Sequence, residues 1–227
     1  MDRRRVPFRL YLITDRNLAA RRGGVVAVAE AALSAASATA QAGAVALQLR
    51  EKDMEARALY ELARALRELC SRYGAALLVN DRVDVAIAAG ADGVHLPANS
   101  FAVADARRLV GSTRLIGVST HEAGEVGAAA AAGADFAVYG PVYEPLSKAS
   151  YGAARGAESL GTACRAGAGL PVFALGGITA ERIAELGGTP ALSEGGRPAG
   201  VAVIGAVFGA DDPAAATRAL LDALASW

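Results

Sequence analysis

The segment LQLREKD sets Gln48 and Arg50 at alternate positions, which share one side in extended chain, and Lys52 follows just beyond. An amide donor and two cations converging there suit an anionic, oxygen-rich ligand. Glu51, Asp53 and Glu55 are close enough to pair with those cations on a surface instead, but that arrangement gives no reason for Gln48 inside an apolar run. In VNDRVD, Asp81 can bind a hard cation such as magnesium, orient Arg50 or cap the next helix, and Asn80 offers both a donor and an acceptor. In GVSTHEAGEV, Ser119 and His121 share a side if the chain stays extended, and an imidazole titrates near neutrality and suits proton transfer. Ser119 or Thr120 could equally cap the helix that follows. LGGIT and VIGAVF put Gly176–Gly177 and Gly205–Ala206 where backbone N–H groups can approach an oxyanion. Lys148 could close over a second anionic group or remain solvated. The run GVHLPANS holds one of the two histidines, His95, with no acidic residue between it and Ser100.

Eight short apolar runs must position these residues: 9–14, 44–50, 75–80, 92–96, 114–119, 135–140, 171–176 and 201–205. They are rich in Val, Ile and Leu and alternate with alanine-rich segments of helical period, the pattern of βα units around a parallel sheet. A weak repeat (QAGAVAL, AAGADGV, AAGADFAV, PAGVAVI) sets Gly43, Gly90, Gly133 and Gly200 just before the even-numbered strands. A glycine there can end the preceding helix in a left-handed conformation. Eight βα units in 227 residues predict an α/β fold, a single-domain (β/α)8 TIM barrel over 1–227, whose active site lies at the carboxyl ends of the strands. The insertion PVYEPLSKASYGAARG then overhangs that site. GGTPALSEGGRP falls on the opposite face as a surface loop.

The composition, 53% hydrophobic and 20% charged with zero formal net charge, fits a folded soluble chain. Its cations are dispersed apart from Arg3–Arg5 and Arg21–Arg22, so the sequence predicts no nucleic-acid partner. The apolar run LYLIT is too short for a membrane helix or a signal peptide, which predicts no membrane partner and a cytosolic protein. Cys70 and Cys164, without ligands at metal spacing, are expected as buried thiols. Assembly into a homo-oligomer is left open.

Taken in order, LYLITDR, LQLREKD, LLVNDRVDVAIAAGADGVHL, GVSTHE, GADFAVYGPVYEPLSK, PVFALGGIT and VAVIGAVF resemble the thiamine-phosphate synthase and thiazole tautomerase family of barrels over nearly the whole chain. The resemblance implies small phosphorylated thiamine precursors as ligands. The family's synthases join a hydroxymethylpyrimidine diphosphate to a thiazole phosphate with loss of diphosphate, using magnesium. Its tautomerases shift a double bond in a thiazole carboxylate phosphate without metal. The match implies Gln48, Arg50, Lys52 and Asn80 as pyrimidine-diphosphate contacts and Asp81 as a magnesium ligand. It implies Ser119 and Lys148 as further diphosphate contacts, Ser147 as a substrate contact, and Gly176, Gly177, Ile204 and Gly205 around the thiazole phosphate. His121 matches the histidine near the reacting centre, the tautomerase's acid/base group.

Two departures stand out. Where the synthases continue with Gly-Gln-Glu-Asp, whose aspartate is a second magnesium ligand, this chain has PANS and Ser100. Pro145 replaces a threonine before the Ser147–Lys148 pair. The Leu-Pro-x-x-Ser continuation resembles the tautomerases, whereas Lys52 and Asp81 are of the synthase type. The sequence therefore predicts a synthase with Arg50, Lys52, His121 and Lys148 as catalytic residues, and a thiazole tautomerase as the alternative. A silent barrel that binds a thiamine precursor and acts through a partner protein is a third reading.

Overall fold

The computed structural model describes residues 6–39, 44–144, 153–193 and 195–227. Its strands are β1 (Leu10–Ile13), β2 (Val45–Leu49), β3 (Ala76–Asn80), β4 (Gly93–Leu96), β5 (Leu115–Thr120), β6 (Phe136–Tyr139), β7 (Val172–Leu175) and β8 (Gly200–Val203). Each pairs in parallel with its sequence neighbour, and β8 returns to β1, closing the barrel. All eight carboxyl ends therefore open on one face. Between the strands run α1 (Arg16–Ala19), α2 (Val25–Ser37), α3 (Ala56–Tyr73), α4 (Val83–Ala88), α5 (Val103–Val110), α6 (Ala123–Ala132), α7 (Gly156–Ala166), α8 (Ala180–Gly187), α9 (Gly205–Phe208) and α10 (Pro213–Ala225). The fold is the (β/α)8 barrel that the alternation predicts. Among the described residues, no helix is long and apolar enough to cross a membrane.

Alternation along each strand sorts the side chains into two cores. Outward residues such as Leu10, Leu12, Leu47, Leu77 and Val79 pack against the helices. Inward residues form a second cluster with Phe8, Tyr11, Phe136 and Phe173 at its centre. Phe8 meets Tyr11, Phe136 and Phe173 with ring centroids 5.2–5.5 Å apart, within the range where aromatic pairs attract. Space for them comes from Gly117, where a Cβ would lie 2.3 Å from Phe136 Cζ and 2.8 Å from His95 Nδ1.

Gly90 and Gly133 have φ of 67° and 84° and follow α4 and α6, as the repeat predicts. Gly200 does not share that role. It is the first residue of β8, and a Cβ on it would stand 2.0 Å from the Arg9 carbonyl oxygen, so it is required by strand packing rather than by a turn. Gly43 and Arg3–Arg5 lie outside the described residues. The GGTPALSEGGRP segment is also more than a surface loop: Leu192 is buried and the Ala191 carbonyl accepts a hydrogen bond from Arg165 Nη1 at 3.1 Å. Cys70 and Cys164 are free and buried, and burial pushes both thiols up to about 12.

Candidate active site

The carboxyl rim collects most of the residues singled out by type and spacing. Gln48 is an inward residue of β2, only 1% exposed, and Arg50 and Lys52 follow just beyond. Asn80 ends β3, Asp81 follows it, and Ser119 lies near the end of β5. Gly176 follows β7, and Ile204 and Gly205 follow β8. Ser147, Lys148 and Pro145 lie outside the described residues.

The carboxylates beside Arg50 and Lys52 are engaged elsewhere. Arg16 donates to both oxygens of Asp53 at 2.7 Å and pairs with Glu51 at 3.5 Å. Among the described residues, neither Arg50 nor Lys52 forms an ion pair. The surface-pairing alternative is thus not realised.

Asp81 does not cap the next helix. It has φ of 63°, an uncommon left-handed conformation that aspartate tolerates better than most residues. Arg82 stands at the N-cap and makes no side-chain cap bond. The Asp81 N–H donates to the His95 carbonyl at 2.9 Å, and Ser100 Oγ donates to Asp81 Oδ1. The hydroxyl at the position of the expected second carboxylate therefore meets the first carboxylate.

Neither Ser119 nor Thr120 caps α6. Glu122 is the N-cap, in a capping box with Glu125, and Thr120 Oγ1 instead donates to the Val138 carbonyl at 3.1 Å. His121 is exposed. Its Nδ1 donates to the Gly140 carbonyl at 2.7 Å, which leaves Nε2 as the ring nitrogen for proton transfer.

Sequence reasoning gave His95 no role, although its alternation with Gly93 already turns it inward. It is 2% exposed and sits in a buried polar chain. Gln48 Nε2 donates to Tyr11 Oη at 3.1 Å, Tyr11 Oη lies 3.5 Å from His95 Nδ1, and His95 Nε2 lies 2.9 Å from Ser119 Oγ. If Tyr11 donates to Nδ1, then Nε2–H donates to Ser119, whose own proton is free for the mouth. Burial, followed by the charge of Arg50, pushes His95 down to about 3. The imidazole is neutral at physiological pH, which suits a fixed donor rather than a titrating acid/base.

This depression has a stability consequence. The unfolded chain takes up the proton near the ordinary value of 6.5 while the folded chain refuses it until about 3. The resulting stability is present above 6.5 and is lost as pH falls toward 3, with a slope of about 1.4 kcal/mol per pH unit from this residue. Urea unfolding of wild type and His95→Gln across that range should show a steeper acid loss in wild type. Equal slopes would mean that the folded chain protonates His95 freely.

At β7, a Cβ on Gly177 (φ 60°) would lie 2.4 Å from the Glu144 carbonyl oxygen, and one on Gly176 (φ 104°) would lie 2.6 Å from Pro141 Cβ. The pair lets the base of the β6–α7 connection seat on the strand end, where Tyr143 N–H donates to the Gly176 carbonyl at 3.1 Å. Arg182 donates to the Gly177 carbonyl and lies 4.7 Å over the Tyr143 ring. Gly205 differs: among the described residues outside its own helix, its Cβ position comes within 4 Å of Leu18 Cδ1 alone, at 3.9 Å.

A closed parallel barrel with polar and cationic residues at its carboxyl rim defines a class, the (β/α)8 barrels that meet their ligands at that face. The description thiamine monophosphate synthase belongs to the family model that matches residues 10–207. A Methanoculleus marisnigri thiamine-phosphate synthase is 42% identical over 217 residues, 96% of this chain and 95% of that protein. A Geobacter sulfurreducens protein with a provisional thiamine-phosphate synthase name is 51% identical over 217 residues, 96% of this chain and 94% of that protein. The solved thiamine phosphate pyrophosphorylase from Pyrococcus furiosus superposes with a TM-score of 0.80 at 32% identity, covering 97% of this chain and 96% of that one. The chain belongs to the thiamine monophosphate synthase family.

Proposed function

We propose that this chain makes thiamine phosphate by joining hydroxymethylpyrimidine diphosphate to thiazole phosphate with release of diphosphate. The observation that carries the reading is that Arg50 and Lys52, beside a buried Gln48, form no ion pair among the described residues, with Glu51 and Asp53 held by Arg16. Two cations so placed favour a polyanion, and their charge is worth most as negative charge develops on the leaving diphosphate. The electron-rich pyrimidine carries the transient cation, and the thiazole nitrogen captures it. The part of Asn80, Ser119 and Gln48 is to fix the pyrimidine and diphosphate by hydrogen bonds, so that the two reactants meet in line. Lys148 and Ser147, from the β6–α7 connection, add contacts to the diphosphate. Gly176, Gly177, Ile204 and Gly205 receive the thiazole phosphate, and the open space at Gly205 suits close approach of a ligand. We place the enzyme in the cytosol.

The donor set at Asp81 fits magnesium that arrives with its own oxygen ligands. One carboxylate and the Ser100 hydroxyl form no complete cage, but magnesium keeps several waters and binds substrate phosphates readily. Asp81 would hold the ion, and the ion would supply positive charge to the diphosphate. Thiamine phosphate formation should then need magnesium in roughly the millimolar range, and Ser100→Asp should lower that requirement about tenfold by restoring a second carboxylate. Calorimetric titration of magnesium diphosphate should shift in parallel. No product from the two precursors at any magnesium concentration would end the synthase reading.

The tautomerase reading is favoured by one observation, Ser100 in place of the carboxylate. It needs neither metal nor diphosphate, and His121 Nε2 would move the proton.

A further inference from the structure

Thr14, the residue after β1, is polar yet fully buried, and none of the roles assigned so far uses it. Its Oγ1 accepts the Arg50 N–H at 2.9 Å and donates to Glu51 Oε1 at 2.7 Å. Its own N–H donates to the Gln48 carbonyl at 3.0 Å. The Glu51 side chain is only 4% exposed. Its other oxygen accepts the Arg16 N–H at 3.3 Å and faces Arg16 Nη1 at 3.5 Å. Arg16 extends from there to Asp53, and Asp15 holds the start of α1 by accepting from the N–H groups of Asn17 and Leu18.

A buried carboxylate is costly unless hydrogen-bonded and paired, and Glu51 is both. The same contacts tie the loop after β1 to the loop after β2, at the Arg50 N–H itself and at Glu51, the residue that follows it. The Thr14 hydroxyl fixes the peptide N–H of Arg50, and Glu51, the next residue, is held by Thr14 and Arg16. Arg50 is thereby held where its charge acts on the buried His95, and two carboxylates are kept from Lys52.

We propose that Thr14 and Glu51 are positioning residues for the diphosphate site, acting through Arg50 and Lys52 without touching the ligand. This rests on the reading that Arg50 receives the diphosphate. The test compares wild type, Thr14→Val, Thr14→Ser and Glu51→Gln. Binding of inorganic diphosphate with magnesium is measured by calorimetry, and KM is measured for each substrate. Thr14→Val keeps the volume and loses the hydroxyl. It should weaken diphosphate binding and raise the KM for the pyrimidine diphosphate about tenfold, the scale of one buried hydrogen bond. The KM for thiazole phosphate should change by less than about twofold, and Thr14→Ser should recover most of the loss.

A Thr14→Val protein with wild-type diphosphate affinity, equal losses for both substrates, or a serine variant as weak as the valine one would overturn the proposal. If circular dichroism shows that Thr14→Val is unfolded, Glu51→Gln carries the test alone: selective weakening supports the proposal and unchanged affinity overturns it. Wild type that binds diphosphate yet makes no thiamine phosphate would remove the synthase reading while leaving the binding comparison intact. Wild type that does not bind diphosphate would remove the role of Arg50 and this proposal with it.

Discussion

Replacing Arg50 with alanine lowers kcat/KM for thiamine phosphate formation by about 10²–10³, whereas His121→Asn lowers it by less than about tenfold. The asymmetry follows from where charge changes during the reaction. In a synthase the leaving diphosphate gains negative charge at the mouth, and Arg50 has no carboxylate among the described residues to share its own charge. His121 is exposed and anchored through Nδ1 to the Gly140 carbonyl, and the bond-breaking step asks it for no proton. In a tautomerase the order inverts: the histidine carries the proton, and its loss costs about 10²–10⁴, while Arg50→Ala matters little. Steady-state assays of both variants with both sets of substrates read the difference directly. Full activity of His121→Asn in both assays would leave the tautomerase alternative without a base. Full synthase activity of Arg50→Ala would remove the diphosphate site from this rim.

Gly200→Ala destabilises the chain by about 3–5 kcal/mol, the range of severe overpacking. A methyl group there meets the Arg9 carbonyl oxygen at 2.0 Å and its carbon at 2.7 Å, and both are backbone atoms with no rotamer to change. The clash lies at the seam between β8 and β1, where Val201 N–H donates to the same Arg9 carbonyl at 2.9 Å. The barrel can admit the methyl only by opening its closing strand pair. Gly124→Ala is the control. It lies in α6, where no described residue outside the helix comes within 4 Å of its Cβ position, and it should leave stability unchanged or raise it by up to about 1 kcal/mol. Urea unfolding of the two variants compares them, and equal midpoints would show that the β1–β8 seam yields easily.

Strand positions were legible because a buried parallel strand needs an unbroken apolar run, and six of the eight runs end at or just before Gly, Asp or Arg, the other two stopping before Pro97 and Thr120. Expected and observed strand limits differ by no more than two residues. The rim was legible for the same reason, since polar residues just past a buried run must stand at the strand end. Local capping was less so. Asp81 has the residue type of a cap, but its left-handed backbone passes that place to Arg82. Glu122 takes the place expected of Ser119 or Thr120 because Glu125 completes a capping box around it. Gly200 shares a sequence phrase with Gly90 and Gly133 but answers a clash with a strand far away in the chain. The Thr14–Glu51 contact joins residues 37 apart, and no periodicity in a single sequence encodes which loop a buried carboxylate will meet.

Phe8, Tyr11, Phe136 and Phe173, each no more than 2% exposed, fill the lower barrel from wall to wall and give the polar layer above them a solid floor. Among the described residues the interior is therefore a cup open at the carboxyl rim. If the reaction runs at that rim as proposed, two substrates must enter, and two products must leave, past the residues that perform the chemistry. A molecule that lingers there obstructs both partners of the next turnover at once, so traffic and chemistry are governed by the same few loops.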